Sequence, residues 1–426
     1  MPDRIRGIHP RLVPRAPDPR PSLAVLPALR DVGDDFAWAV WYVVWRVRDG
    51  EEPAGATAAA ERLDRFDAAI GCVPELDEAL RTLYGYLRGT EARQLTADAL
   101  LRVSEWALER GAGEPAIQCA EAAAALVPEN SRLALTAGRA NRIFSEAARA
   151  AIHYERAMTL ARFARKWRTY VRAHIGLGQV KKALGDREGA RAHFYTAARA
   201  ARSLSGEKWL AAQTRHDLLV LAAEEGDLDG ALRYGKQALE WYPRHHASLP
   251  ALAHDLAFLL VRMNEHVRAV PLLKAILPKL LPREQVIGSS TLARAAASIG
   301  DLRGYKEAAE NTLRLVGLFD LYAAAAFANL ACGAHRLELW VEAEQYALRS
   351  LEISEKGAQA EAVDVARPVL ASVRAKRPAG SDAPVQSYSS SQIPPLIADL
   401  TARLTVWRGQ TWKRKEQSGR ERLGRI

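Results

Sequence analysis

Apolar and polar positions follow a helical period along most of this 426-residue chain, and nowhere settle into the strict alternation of a half-buried strand. Ala190, Phe194 and Ala197 fall on one face as i, i+4 and i+7, the stripe an amphipathic helix turns toward a neighbour. The same phase returns again and again. A small residue occupies it at Ala116, Ala150, Ala190, Ala231, Ala269 and Ala343, with Tyr305 the exception, at steps of 34, 40, 41, 38, 36 and 38 residues. A period of that length predicts stacked helix pairs, each burying its apolar face only against its neighbours. One pair begins at Val171, with Leu177-Gly178 in its first helix, a turn at Gly185-Asp186 and Ala190, Phe194 and Ala197 in its second. Another begins at Ala212, with Leu218, a turn at Gly226-Asp227, then Ala231, Ala238, Leu239 and Pro243. Tyr305 predicts that the two helices of the sixth pair stand further apart than elsewhere, since its ring replaces a methyl group.

The ends of the chain read differently. Asp34 and Asp35 open the segment Phe36 to Arg48, Arg46 and Arg48 close it and Gly50 follows, the charge order that complements a helix dipole. With Trp38, Trp41, Tyr42 and Trp45, that helix requires burial on most sides. Helices near 57–71 and 75–88 follow. At the far end Ala358 to Arg374 reads as a capping helix that Pro368 should kink or end early. Residues 377–395 are a Pro/Ser linker, and Leu396, Leu400, Leu404 and Trp407 form a short apolar stripe ahead of a basic tail. The predicted organisation is a disordered basic Pro-rich segment over 1–30, an N-terminal helical cap over 31–94, a solenoid of about seven repeats with a cap helix over 95–376, the linker over 377–395, and an amphipathic helix with basic tail over 396–426.

The repeats resemble the tetratricopeptide family. Its large and small residues at the seventh and eighth positions are matched by Val103-Ser104, Ala137-Gly138, Leu177-Gly178, Leu218-Leu219, Leu256-Ala257, Leu292-Ala293 and Leu330-Ala331. Its small twenty-seventh residue is matched by Ala123, Ala157, Ala197, Ala238 and Ser350, with Ile276 and Thr312 the departures. Tyr154 and Phe194 hold its aromatic position, and Pro128 and Pro243 its terminal proline. The family tryptophan at the fourth position is missing, and most repeats exceed 34 residues, as in long-repeat bacterial members. The resemblance covers roughly residues 97 to 352. It implies an all-α, right-handed superhelical solenoid whose first helices line a concave groove that binds a partner.

Charge changes the picture less than its total suggests. The net charge of +10 resides almost wholly in residues 1–30, at +4, and 406–426, at +5, leaving the intervening chain at +1. A phosphate-tracking surface spreads its basicity along the binding face, so nucleic acid is expected only through the C-terminal tail, at Trp407, Trp412, Lys413, Arg414 and Lys415. Cys72, Cys119 and Cys332 show no paired spacing, which points to a reduced compartment, and the Pro-broken N-terminus is a poor signal peptide. The most apolar run, Phe36 to Trp45, is about half the length a bilayer demands, so a cytoplasmic location without membrane insertion is expected.

The groove positions that the resemblance assigns carry an uneven set of side chains. Repeats two and three present Arg132, Arg139, Arg142, Arg172, Gln179 and Lys182, cations suited to a partner bearing carboxylates. The family's two-carboxylate clamp is not reproduced. Repeats four and five place His216-Asp217 and His254-Asp255 at equivalent fifth and sixth positions, which reads as interhelical contacts within the wall, as ligand recognition, or as a metal site lacking any ligand motif. Asn329 and His335 add polar groups in repeat seven. His245-His246 reads as a solvated turn, and Cys332 with His335 as a coincidence of helical spacing. No phosphate loop, His-Glu-x-x-His or nucleophile elbow occurs, so neither enzyme activity, a metal nor a cofactor is expected. The expectation is a scaffold or adaptor that binds a partner peptide or helix in the groove; the alternative is a regulatory sensor module of a bacterial signalling or transcription-control system whose basic tail contacts nucleic acid.

Overall fold

The computed structural model describes residues 13–19, 22–49, 59–204, 207–319, 322–357, 360–379 and 393–407. Among them there are only helices and turns. The architecture is an all-α helical-repeat solenoid. Two compact units divide the chain after Val180.

In the first unit, α1 (Val25–Ala28), α2 (Asp34–Asp49), α3 (Ala59–Ala69) and α4 (Asp77–Leu87) precede the hairpins α5–α6 (Arg93–Glu109, Gly113–Leu126) and α7–α8 (Ser131–Ile143, Ala147–Phe163) and most of α9 (Trp167–Ala183). Phe36, Val40, Val43 and Val44 of α2 are fully buried in a core shared with Phe66, Leu80, Leu83 and Leu100. Tyr42 is buried as well, while Trp38, Trp41 and Trp45 are partly buried. Tyr154 of α8 lies against Gly138 of α7 and Gly176 of α9, where an added Cβ would strike its ring. A bulky residue on a second helix therefore requires glycine on the first helices beside it.

The second unit holds the end of α9, α10 (Arg187–Arg202), and the hairpins α11–α12 (Lys208–Glu225, Leu228–Trp241), α13–α14 (Leu249–Arg262, His266–Ile276), α15–α16 (Pro282–Ser298, Leu302–Val316) and α17–α18 (Ala323–Arg336, Trp340–Gly357). Two further helices follow, α19 (Ala360–Arg374) and α20 (Ile393–Val406). Three of the turns share one device. Gly185, Gly226 and Gly300 adopt φ near +80°, a left-handed exit that L side chains resist, and the next residue is the N-cap aspartate of the second helix. Asp186, Asp227 and Asp301 accept hydrogen bonds from the amides of Gly189, Gly230 and Gly304 at 2.8, 2.9 and 2.8 Å. The capping carboxylate sits so close that a Cβ on the bonded glycine would collide with it. The motif Gly-Asp-x-x-Gly follows from these two steric demands.

This cap also settles the phase of the sixth repeat, because Tyr305 follows Gly304 as Ala190 follows Gly189 and Ala231 follows Gly230. The wide separation expected there is absent. Helices α15 and α16 adjoin as extensively as the α17–α18 pair. The ring instead leaves its own hairpin and fills the space beside Gly333 of α17, donating its hydroxyl to the Leu330 carbonyl at 3.3 Å. Pro368 likewise fails to end α19, which runs through it to Arg374; packing against α17 and α18 outweighs the lost backbone bond.

Candidate functional site

The fifth and sixth positions of four successive first helices read His216-Asp217, His254-Asp255, Ser290-Thr291 and Ala328-Asn329. The fifth residue of each repeat bonds the sixth of the next. His216 Nε2 donates to Asp255 Oδ2 at 2.7 Å, His254 Nε2 meets Thr291 Oγ1 at 3.2 Å, and Asn329 Nδ2 donates to Ser290 Oγ at 3.2 Å. His254 Nδ1 also contacts Asp255 Oδ1 at 2.8 Å, so one carboxylate serves two imidazoles. The result is a polar ladder across α11, α13, α15 and α17. Its lower rungs are buried, while the Asp255 side chain keeps 24% of its exposure.

Electrostatics follow from that geometry. Burial works to lower the His216 pKa, but the hydrogen bond and charge of Asp255, with Asp217 nearby, raise it overall. Burial works to raise the Asp255 pKa, yet the bonds from His216 and His254 hold it well below the carboxylate range. Tyr242 Oη lies 3.5 Å from His216 Nδ1, and its own ring stacks on His246 at 4.6 Å. His246 is packed between Trp209 and Tyr242, which overturns its reading as a solvated turn; burial, and then the charge of His216, depress its pKa to about 4. His245 beside it is exposed.

Several of the sequence-selected cations already have partners within the protein. Arg132 pairs with Asp98, and Arg142 Nε contacts Tyr154 Oη at 3.4 Å. Lys182 is partly buried between Glu224 at 2.8 Å and Glu361 at 2.7 Å; burial works to lower its pKa, but the two carboxylates raise it overall. Its charge is already matched within the protein. Arg139, Arg172, Gln179 and Asp217 are likewise engaged. Asn329 joins the ladder, and His335 Nε2 contacts the Arg377 carbonyl at 2.8 Å. Of the tail, Trp407 donates to the His246 carbonyl at 3.2 Å; Trp412, Lys413, Arg414 and Lys415 lie outside the described residues.

Ser290 and Thr291 escaped the sequence reading because hydroxyl residues are unremarkable in a helix; only their phase with the two His-Asp pairs marks them. Arg294 escaped it too. It occupies the ninth position of the sixth repeat, half-buried, in a row with Val220, Phe258 and Cys332, all partly exposed. It makes no ion pair among the described residues. Among those residues there is also no group of three or more His, Cys, Asp or Glu able to hold a metal ion, and no helix long and apolar enough to cross a membrane.

No family model matches the chain, and no curated protein matches it either. Solved structures do. The chain is similar to a Rap protein complexed with Competence and Sporulation Factor, at 14% identity over 76% of this chain and 99% of that one, with a TM-score of 0.54. A weaker likeness links it to the APC/C hetero-tetramer Cut9-Hcn1, at 14% identity over 82% of this chain and 76% of that one, with a TM-score of 0.39. The first likeness establishes a tetratricopeptide-like repeat fold.

Proposed function

We propose that this protein is an interaction scaffold whose second unit receives a segment of a partner protein along its first helices. The observation that carries the reading is the ninth-position row Val220, Phe258, Arg294 and Cys332, lying beside the exposed edge of the ladder. Three of the four offer apolar or weakly polar contact, and the fourth offers a guanidinium without a competing carboxylate among the described residues. A fork of five N–H donors suits a carboxylate, so the partner segment is apolar with an acidic side chain or a C-terminal carboxylate. The ladder's part is to hold α11, α13, α15 and α17 in one register, so that the row presents a fixed spacing. A Rap protein solved in complex with Competence and Sporulation Factor has this fold, which agrees with the reading without assigning the partner.

The test is capture from a lysate by the full chain, comparing wild type with Phe258→Ala, Arg294→Glu and a control, Arg303→Glu, on a second helix. A partner retained by wild type and control and lost from both groove variants is the expected result. Retention of the same proteins by all four removes the groove reading.

A further inference from the structure

Helix α20 stands outside the hairpin pattern. Among the described residues no helix follows it to complete a hairpin, and it comes after α19 only beyond a stretch that includes residues 380–392, five of them serine. Yet it is firmly seated. Ile393, Leu396, Leu400 and Leu404, spaced i, i+3, i+7 and i+11, are all buried in the core cluster that contains Tyr242, Leu249, Leu252 and Ile276. Pro394, Pro395, Asp399, Thr401 and Thr405 face outward.

Two polar contacts fix its direction. Arg403 Nη1 donates to the Leu239 carbonyl at 2.6 Å and lies 3.5 Å from that of Tyr242, at the C-terminal end of α12, where unpaired carbonyls favour a cation. Trp407 Nε1 donates to the His246 carbonyl, with Lys279 over its ring at 5.8 Å. Tyr242 and His246 also border His216, so the seat adjoins the first rung of the ladder.

We propose that the seat of α20 is a helix-docking site, occupied in cis by α20 and open to an amphipathic helix of a partner protein that carries the same aliphatic stripe with an arginine near its end. A helix that lies along an apolar seat, held by anchors at i, i+3, i+7 and i+11, is a self-contained recognition mode. The seat's features are those of a binding surface: apolar contact for affinity, two carbonyl contacts for direction. The covalent link to α19 holds α20 at an effective concentration on the order of millimolar, so an external helix competes poorly until α20 is released. Release of α20 is thus the step that admits the partner.

The probe is a fluorescent synthetic peptide of residues 391–409, titrated against the full chain by anisotropy. The full-chain variant Leu400→Asp/Leu404→Asp, which unseats its own helix, should bind the peptide at least tenfold more tightly than wild type, and a peptide bearing the same two substitutions should bind neither. Equal affinity for wild type and variant, or no binding to a variant that still melts cooperatively, overturns the proposal. Should the variant fail to fold, hydrogen exchange of the wild type decides instead. Amides of 396–406 should exchange at least tenfold faster than those of α13; exchange of both segments at one rate, through global unfolding alone, overturns it.

Discussion

At the scale of single residues, Asp255 holds the most consequential place, because two imidazoles converge on its carboxylate. The raised pKa of His216 means that the folded state favours its charged form. That contribution is fully present below the unfolded histidine value of about 6.5 and is lost as pH climbs through the raised folded value. The depressed pKa of Asp255 contributes above its unfolded value of about 3.9 and is lost as pH falls through the folded one. The pair is therefore most stabilising between about pH 4 and 6.5. Asp255→Ala should cost about 3 kcal/mol in that window, the low end for breaking a buried pair, since the stranded His216 can shed its proton. Urea midpoints at pH 3, 5.5 and 8.5 measure it. The gap between variant and wild type should be widest at pH 5.5. A second residue pair is steric. Gly333→Ala places a methyl 2.8 Å from the Tyr305 ring and should cost about 1–3 kcal/mol by overpacking. In the double variant with Tyr305→Ala that methyl has room, so the two costs should sum to more than the double variant loses.

At the scale of helices, the ends of α9, α11 and α19 meet in a partly buried triad. Lys182 is shared by Glu224 and Glu361, and Arg187 pairs with Asp364 of α19 at 2.8 Å. Two carboxylates on one ammonium cannot both be charged cheaply. Burial and the charge of Glu361 push Glu224 well above the usual carboxylate range, while Glu361 is held below it, chiefly by Lys182 against the opposing effect of burial. A raised folded pKa favours folding below the unfolded value of about 4.3 and opposes it as pH rises through the folded value. Glu224→Gln fixes the neutral form and should raise the melting temperature at pH 8 with little effect at pH 4. Glu361→Gln leaves Lys182 without its charged partner and should lower stability by about 3 kcal/mol at pH 7. A thermal melt of each variant at the stated pH checks both signs.

The same helices show what the sequence could reveal. The alanine phase and the Asp caps were readable because each concerns residues within one hairpin, and local geometry repeats whenever the local sequence does. The His-Asp pairs were readable as equivalent positions, but not as rungs: which residue bonds which depends on the stagger between neighbouring repeats. Glu361 was invisible as the partner of Lys182, lying 179 residues away. The stripe of α20 announced an amphipathic helix and said nothing of its seat, since a periodic apolar face specifies burial without specifying the surface that provides it.

At the scale of the molecule, the near-neutral repeats and the charged ends separate two kinds of chemistry, shape-directed contact in the hairpins and charge at the termini. The stability of the hairpins divides similarly. The large core of the first unit draws on residues up to Phe144, and that of the second begins at Trp209. Each unit also has its own polar centre. In the first, Glu121 is fully buried and accepts bonds from Asn141 and Arg149 at 2.9 Å, with His153 at 3.4 Å. In the second, the centre is Asp255. Among the described residues the two carboxylates share no hydrogen-bond partner. In a solenoid each repeat draws its stability from itself and its nearest neighbours, so perturbation at one centre should decay within a few helices. Glu121→Ala should accelerate hydrogen exchange in α6 to α8 and leave α13 to α17 at wild-type rates, and Asp255→Ala should do the reverse. The two free-energy costs should add to within about 0.5 kcal/mol in the double variant, as for sites without common contacts. A larger coupling, or exchange that quickens in both regions with either substitution, would show that the repeats unfold as one cooperative body and that their two cores are not energetically separate.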